Sequence, residues 1–177
     1  MRKGGGKAKG AGFEREVCKK LSLWISKKKR TDLFWRSAMS GGRATLGRRR
    51  GEDLAHQAGD ICAVHPEGHV LTNNYYLECK FYRNLEFDRF LFGEGRLFDY
   101  WAKACEEALA YKREPMLVAK ENFTPIMVLV RPEACLDSEV EGYFGTYIKV
   151  PHTEACILVA FDRMLNQPFT SMLRCLV

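Results

Sequence analysis

The sequence predicts an α/β fold: a single domain whose central mixed sheet is flanked by helices. Two observations lead there. Helical and strand-like apolar periods alternate in the order helix, strand, strand, strand, helix, strand, strand, a pattern that places helices against a mixed sheet. And 177 residues at 46% hydrophobic content suffice for one sizeable core but not comfortably for two. No internal repeat interrupts the pattern.

The elements follow in order. Residues 1–12 open with MRKGGGKAKG, which cannot bury apolar surface and reads as a flexible basic arm ahead of a folded domain over 13–177. From Phe13 a helical period runs through Val17, Leu21, Trp24 and Ile25, with the basic block 27–30 at its C-terminal end, where the helix dipole favours positive charge. Residues 33–36 (LFWR) read as a short strand. Residues 37–58 are poor in apolar side chains, and an irregular segment of that length is usually functional or disordered. Residues 59–64 form a strand, HPEG a turn, and 70–81 a longer strand ending in YYLECKF; the two strands are expected to pair as a hairpin. Residues 96–112 make an amphipathic helix with Leu97, Tyr100, Trp101, Ala104, Ala108 and Tyr111 on one face. Strands are expected at 116–119 and 125–130, which closes the core at about residue 130. A β-rich extension over 131–177 contributes strands at 143–150 and 156–161.

Charge and cysteine usage narrow the class. The formal net charge is +6, and the excess crowds into the first 50 residues: the arm, the block 27–30, and Arg43, Arg48, Arg49 and Arg50. That distribution suits a polyanionic partner such as nucleic acid. The seven cysteines are scattered without a CxxC pair, and the N-terminus carries no apolar run of a secretory signal. They are expected to be reduced, mostly buried thiols of a cytoplasmic protein, and no apolar stretch reaches membrane-spanning length. The tryptophans Trp24, Trp35 and Trp101 sit at helix or strand spacing and are expected in the core rather than as base-stacking platforms.

The chemistry concentrates in Glu78-Cys79-Lys80. On a strand, Glu78 and Lys80 share one face with Tyr76, while Cys79 points to the other. Taken alone, the pair also suits an edge strand where the two charges meet in water. Asp60 adds to it, because it starts the preceding strand and can approach Glu78. Two carboxylates at a sheet end repel unless a divalent cation lies between them, and their oxygens suit Mg²⁺, with Mn²⁺ as a substitute. Such a cation activates water for phosphodiester hydrolysis, and a neighbouring lysine can orient that water or offset charge on the phosphate.

The first helix offers a further carboxylate. With steps of about 100° per residue from Phe13, the apolar stripe centres near about 60–70° and Glu14 falls inside it at about 100°, whereas Glu16 points to solvent. An acidic residue on an inward face suggests a functional role. The alternative is that Glu14 lies in the helix's first turn and favours the dipole.

Gly59-Asp60 followed after 17 residues by Glu78-Cys79-Lys80 resembles the PD-(D/E)xK nuclease superfamily, with glycine in place of the first proline. The resemblance implies a restriction-endonuclease-like αβββαβ core. FEREV (residues 13–17) and RSAMSGG (residues 36–42) further resemble archaeal-type Holliday junction resolvases. By that resemblance Glu14, Asp60 and Glu78 are metal-linked carboxylates, and the Cys79 backbone carbonyl completes the metal shell. Lys80 is the catalytic lysine, and Arg36 and Ser40 belong to a substrate-contacting segment. The activity implied is a Mg²⁺-dependent endonuclease, acting as a homodimer on branched DNA in recombination. The segment 43–57 is longer than in the resolvases, and the last 50 residues show no counterpart there.

The interleaved glycines and Arg43, Arg48, Arg49 and Arg50 suit a loop gripping DNA phosphates, and equally a solvated linker without DNA. A zinc site of Cys62, His65, His69 and Cys79 is a rival reading, although the histidines flank a Pro-Gly turn. A restriction- or repair-type nuclease acting on duplex DNA would share this fold and chemistry. A DNA-binding accessory without catalysis is a further alternative, against which the intact Asp60, Glu78 and Lys80 speak. A small basic nuclease of this kind suits a phage or mobile-element genome.

Overall fold

Helix α1 (Gly5–Ile25) buries the stripe predicted for it: Phe13, Val17, Leu21, Trp24 and Ile25 all lie in the core. The computed structural model of the chain describes residues 5–37, 58–134 and 145–169. The helix begins at Gly5, where composition suggests an arm reaching to residue 12. Lys9 supplies the reason, since its Nζ donates to Asn122 Oδ1 at 2.6 Å and sits 3.7 Å from the centre of the Phe81 ring. The helix stops where Lys27 and Lys28 turn into the left-handed region, at φ 51° and 68°.

Strands β1 (Phe34–Arg36) and β2 (Ile61–Ala63) pair antiparallel as a ribbon, with Trp35 opposite Cys62. A buried serine of α1 fixes where this ribbon starts. The Ser22 hydroxyl donates to Cys18 O at 2.8 Å and accepts the backbone N–H groups of Leu33 and Phe34 at 3.1 and 3.3 Å.

The central sheet has five strands: β3 (Tyr75–Tyr82), β4 (Glu114–Glu121), β5 (Met127–Val130), β6 (Thr146–Ile148) and β7 (Cys156–Ala160). Their order is β3-β4-β5-β7-β6, with β3 and β4 parallel and the other pairs antiparallel. The sheet is therefore mixed, as the sequence predicts. Short helices α2 (His69–Thr72) and α3 (Phe87–Phe90), the longer α4 (Gly95–Ala110), and α5 (Phe161–Leu165) complete the described α-helices.

The alternation of side chains along the strands divides the core. Leu77, Met116, Val118, Val128, Val130 and Val159 face α1 and α5 on one side. Leu117, Ala119, Leu129 and Cys156 face Leu97 and Trp101 of α4 on the other. The parallel β3–β4 pair needs a crossover between its strands, and α4 lies within that crossover.

Three expectations change. β2 does not form a hairpin ladder with β3; its partner is β1, and the turn before β2 hydrogen-bonds to β3. Residues 69–72 make a helical turn, because Asn73 N–H donates back to His69 O at 2.9 Å and Asn74 Nδ2 to Val70 O at 2.9 Å, so β3 starts only at Tyr75. The C-terminal strands are not an appendage, since β7 lies between β5 and β6 in the same sheet.

Replacing Ser22 by Ala strands two buried N–H groups at the start of β1. Urea denaturation should show a loss of about 1–3 kcal/mol; a loss within about 0.5 kcal/mol would mean that the hydroxyl does not hold the ribbon.

Candidate active site

β3 is an edge strand, and an unpaired sheet edge must be covered. Here the cover is the turn Gly59-Asp60. Gly59 adopts φ +83°, and a Cβ on it would stand 2.5 Å from Leu77 O, so only glycine lets this turn come so close. Asp60 N–H then donates to Leu77 O at 2.8 Å, and Cys79 N–H donates to Asp60 Oδ2 at 2.9 Å. Ser37 secures the turn from behind: its N–H donates to Asp60 O and its hydroxyl to Gly59 O, both at 2.8 Å. Asp60 is thereby buried at 4% exposure with its carboxylate against the middle of β3.

Glu78 and Lys80 lie on the face of β3 that looks toward α4. Tyr76, on the same face, packs with Ala108 and Tyr111 and donates its hydroxyl to Glu107 Oε2 at 2.8 Å. Lys80 Nζ is in direct contact with Glu78 Oε1 and stands 3.9 Å from Asp60 Oδ2. One ammonium thus serves two carboxylates. Burial and the neighbouring charge of Asp60 push the Glu78 carboxyl above its ordinary value, opposed by Lys80. Burial pulls the Lys80 ammonium down, but Glu78 and Asp60 outweigh it and hold Lys80 above its ordinary value.

Glu14 approaches from the opposite face of β3, on α1. Its side chain is 15% exposed, and its Oε2 accepts from Arg36 Nε at 2.7 Å. Because α1 starts at Gly5, Glu14 stands well beyond the first turn, which removes the dipole explanation. Glu14, Asp60, Cys79 and Lys80 line one cleft of about 440 Å³ together with Lys9, Gly10, Phe81, Tyr82 and Arg83. The Cys79 thiol feels the whole arrangement: burial, and then the charges of Asp60 and Glu78 and of Glu14 among others, push it well above its ordinary value.

The structure therefore gathers Asp60 and Glu78 around Lys80 and sets Glu14, paired with Arg36, at the cleft that Asp60 and Lys80 line. Among the described residues no three His, Cys, Asp or Glu side chains are arranged to hold a metal ion, and the rival zinc quartet does not assemble. His65 Nε2 lies instead 2.7 Å from Arg30 Nη1, and Cys62 Sγ donates to Trp35 O at 3.4 Å. Ser40, Arg43, Arg48, Arg49 and Arg50 lie outside the described residues. Trp24 and Trp101 are core residues as expected, but Trp35 is 59% exposed, because β1 turns its Phe34 inward and alternation sends Trp35 out. Cys18, Cys62, Cys79, Cys105 and Cys156 are free thiols, and among the described residues no helix is long and apolar enough to cross a membrane.

Sequence reasoning missed Ser37, Lys9, Tyr82 and Arg83. Ser37 carried only the weak signal of a serine next to a predicted strand end. Tyr82 shares the period-two face of Glu78 and Lys80 and could have been found by extending that alternation by one step.

A family model described as "Phage putative PDDEXK endonuclease" matches residues 5–167. The chain belongs to this family. The match covers all five strands of the sheet and the positions of Glu14, Asp60, Glu78 and Lys80, and it agrees with the resemblance to the PD-(D/E)xK nucleases. No curated protein and no solved structure matches the chain.

In this PDDEXK endonuclease the glycine at position 59 is required by distance and not only by φ. Gly59→Ala should move Asp60 away from Cys79 N–H, lower stability by about 1–3 kcal/mol in thermal or urea unfolding, and reduce DNA cleavage more than DNA binding. Wild-type cleavage by Gly59→Ala would mean that the Asp60 position is not set by this turn.

Proposed function

We propose that this endonuclease hydrolyses DNA phosphodiester bonds with a divalent cation, Mg²⁺ or in its place Mn²⁺, held by Asp60 and Glu78. The observation that carries the reading is the shared ammonium of Lys80, which contacts Glu78 and stands 3.9 Å from Asp60 Oδ2. A buried and a half-buried carboxylate that share one cationic group form a donor set that already demands positive charge. Their hard oxygens fit Mg²⁺, which binds through one or two carboxylates and keeps waters for the rest. The Cys79 carbonyl is a third donor on the same edge, because a strand residue sends its N–H and C=O to the same side and the Cys79 N–H already meets Asp60.

A bound divalent cation activates a water and neutralises charge gathering on the phosphate. The residues of the chain do the remainder. Asp60, clamped by Cys79 N–H and by its own backbone, offers its second carboxylate oxygen in a fixed place. Glu78 offers a carboxylate that burial makes more basic than usual. Lys80, protonated in this arrangement, places an ammonium beside the reacting phosphate and offsets the charge that develops there. Glu14 reaches the cleft from the far face, oriented by its pair with Arg36. Lys9 and Arg83 at the cleft bring positive charge to the flanking phosphates.

For the substrate, the reading is a branched DNA cut as by a Holliday junction resolvase, with the protein acting as a homodimer in a phage or mobile-element setting. It is supported by the likeness of residues 13–17 and 36–42 to those enzymes and by the phage family. A two-fold symmetric pair of sites suits the cutting of two strands of a symmetric junction.

Cleavage of a four-way junction, compared with a duplex of matched sequence and with and without Mg²⁺, tests the activity and the substrate together. Asp60→Ala, Glu78→Ala and Lys80→Ala should each lower the rate by at least about a hundredfold while the gel-shift affinity for DNA survives. Binding without cutting of junction, nicked or linear DNA in either metal would sink the nuclease reading, and equal cutting of duplex and junction would sink the branch preference.

Mass action gives a test that needs no substrate. With Mg²⁺ at about 100 times its dissociation constant, the folded protein gains about 2.7 kcal/mol, read as a rise in Tm. The rise should vanish in Asp60→Asn and in Glu78→Gln; a rise that persists in both places the cation elsewhere.

A further inference from the structure

The face of β3 that carries Glu78 and Lys80 continues to Tyr82, one period of about 6.4–6.8 Å further along the strand. The Tyr82 ring stacks on Tyr100 of α4, with centres 5.4 Å apart and planes at 25°, yet Tyr82 remains 38% exposed. Lys80 Nζ is 5.3 Å from the centre of the Tyr100 ring, which joins the aromatic pair to the charged group at the reacting phosphate. Tyr82 also lines the cleft, between Lys80 on one side of it in sequence and Arg83 on the other, with Lys9 across the same cleft. Arg83 makes no ion pair with any described residue. Tyr147, 61% exposed, lines another cleft beside Lys149, but that cleft holds none of Glu14, Asp60 and Lys80.

A ring with one face backed by a second ring, next to an arginine that forms no ion pair among the described residues, is the combination that grips single-stranded nucleic acid: bases stack and phosphates pair. A base held inside a duplex cannot use it, because both of its faces are already stacked on its neighbours. We propose that Tyr82, backed by Tyr100, stacks an unpaired base next to the scissile phosphate, so that the substrate class is DNA with a single-stranded nucleotide at the cut. The proposal rests on the nuclease reading and narrows it. Gaps and flaps offer such a nucleotide, a four-way junction offers one only where a pair at its branch point opens, and intact duplex does not.

The test uses the full chain in EDTA, where binding is separated from cleavage. Gapped DNA with 2-aminopurine placed at each gap position in turn, and intact duplex of the same sequence, are titrated with wild type, Tyr82→Phe and Tyr82→Leu. Wild type and Tyr82→Phe should quench the probe at one gap position. Tyr82→Leu should lose the quenching and bind gapped DNA about 5- to 100-fold more weakly. Its affinity for intact duplex should stay within about twofold of wild type, which also shows that it is folded. Tyr100→Leu, which removes the backing ring together with its contact to Lys80, should show the same selective loss. Quenching that survives in Tyr82→Leu overturns the proposal, and so does an equal loss on gapped DNA and duplex in both leucine variants. Cleavage with Mg²⁺ is scored separately. Tyr82→Leu cutting gapped DNA with wild-type kcat and KM removes the stack and leaves the nuclease. Tyr82-dependent quenching by a wild-type protein that cuts nothing removes the nuclease and leaves the stack.

Discussion

The hydrogen bond from Cys79 N–H to the Asp60 carboxylate at 2.9 Å is the contact on which the rest of the arrangement depends. A buried carboxylate is costly unless it is hydrogen-bonded, and an exposed strand edge is an unfilled ladder. Asp60 answers both needs at once. Its backbone N–H fills Leu77 O and its side chain accepts the next free N–H of β3, so a turn does the work of a missing sixth strand. That is possible only because Gly59 has no Cβ to collide with Leu77 O. The same contact fixes one carboxylate oxygen at the strand edge, beside the residues that carry the chemistry.

Electrostatics follows from that placement. Asp60 at 4% exposure and Glu78 at 14% side-chain exposure share one ammonium. Such a cluster is held together by its lysine, but burial and then the charge of Asp60 outweigh that lysine and raise the Glu78 carboxyl above its ordinary value. Glu14 is different. Its charge is matched by Arg36, so it sits in the cleft without adding to the deficit. The unmatched negative charge is therefore concentrated at Asp60 and Glu78, the two residues nearest Lys80.

Much of this was legible in the sequence where a period carries the signal. The stripe of α1, the face of α4, the alternation that puts Glu78 and Lys80 together, and the inward phase of Glu14 all appear as read. The spacing of Gly59-Asp60 to Glu78 also survives, but for a different reason than the expected hairpin. β2 pairs with β1, and what holds Asp60 on β3 is its own N–H to Leu77 O and the Cys79 N–H to its carboxylate, with Ser37 donating to Gly59 O and Asp60 O behind it, a set of partners that residue type does not announce. The docking of Lys9 on Phe81 and Asn122 is equally invisible to composition, which sees only a glycine-rich basic stretch. The arginine-glycine segment that suggests DNA contact lies outside the described residues, and it stands on composition alone.

The edge position of β3 links these parts. An interior strand would have both rims occupied by backbone partners, leaving no room for Asp60 to reach Cys79 N–H. At the edge, three approaches become available to one strand: Glu14 over one face from α1, Glu78 and Lys80 on the other, and Asp60 at the rim between them. The parallel crossover through α4 protects the far face and sets Tyr100 against Tyr82, so the cleft acquires an aromatic wall where the charged groups end. Stability and chemistry therefore draw on the same bonds. The turn that seals the sheet edge is the turn that positions a carboxylate, and a substitution that loosens one loosens the other.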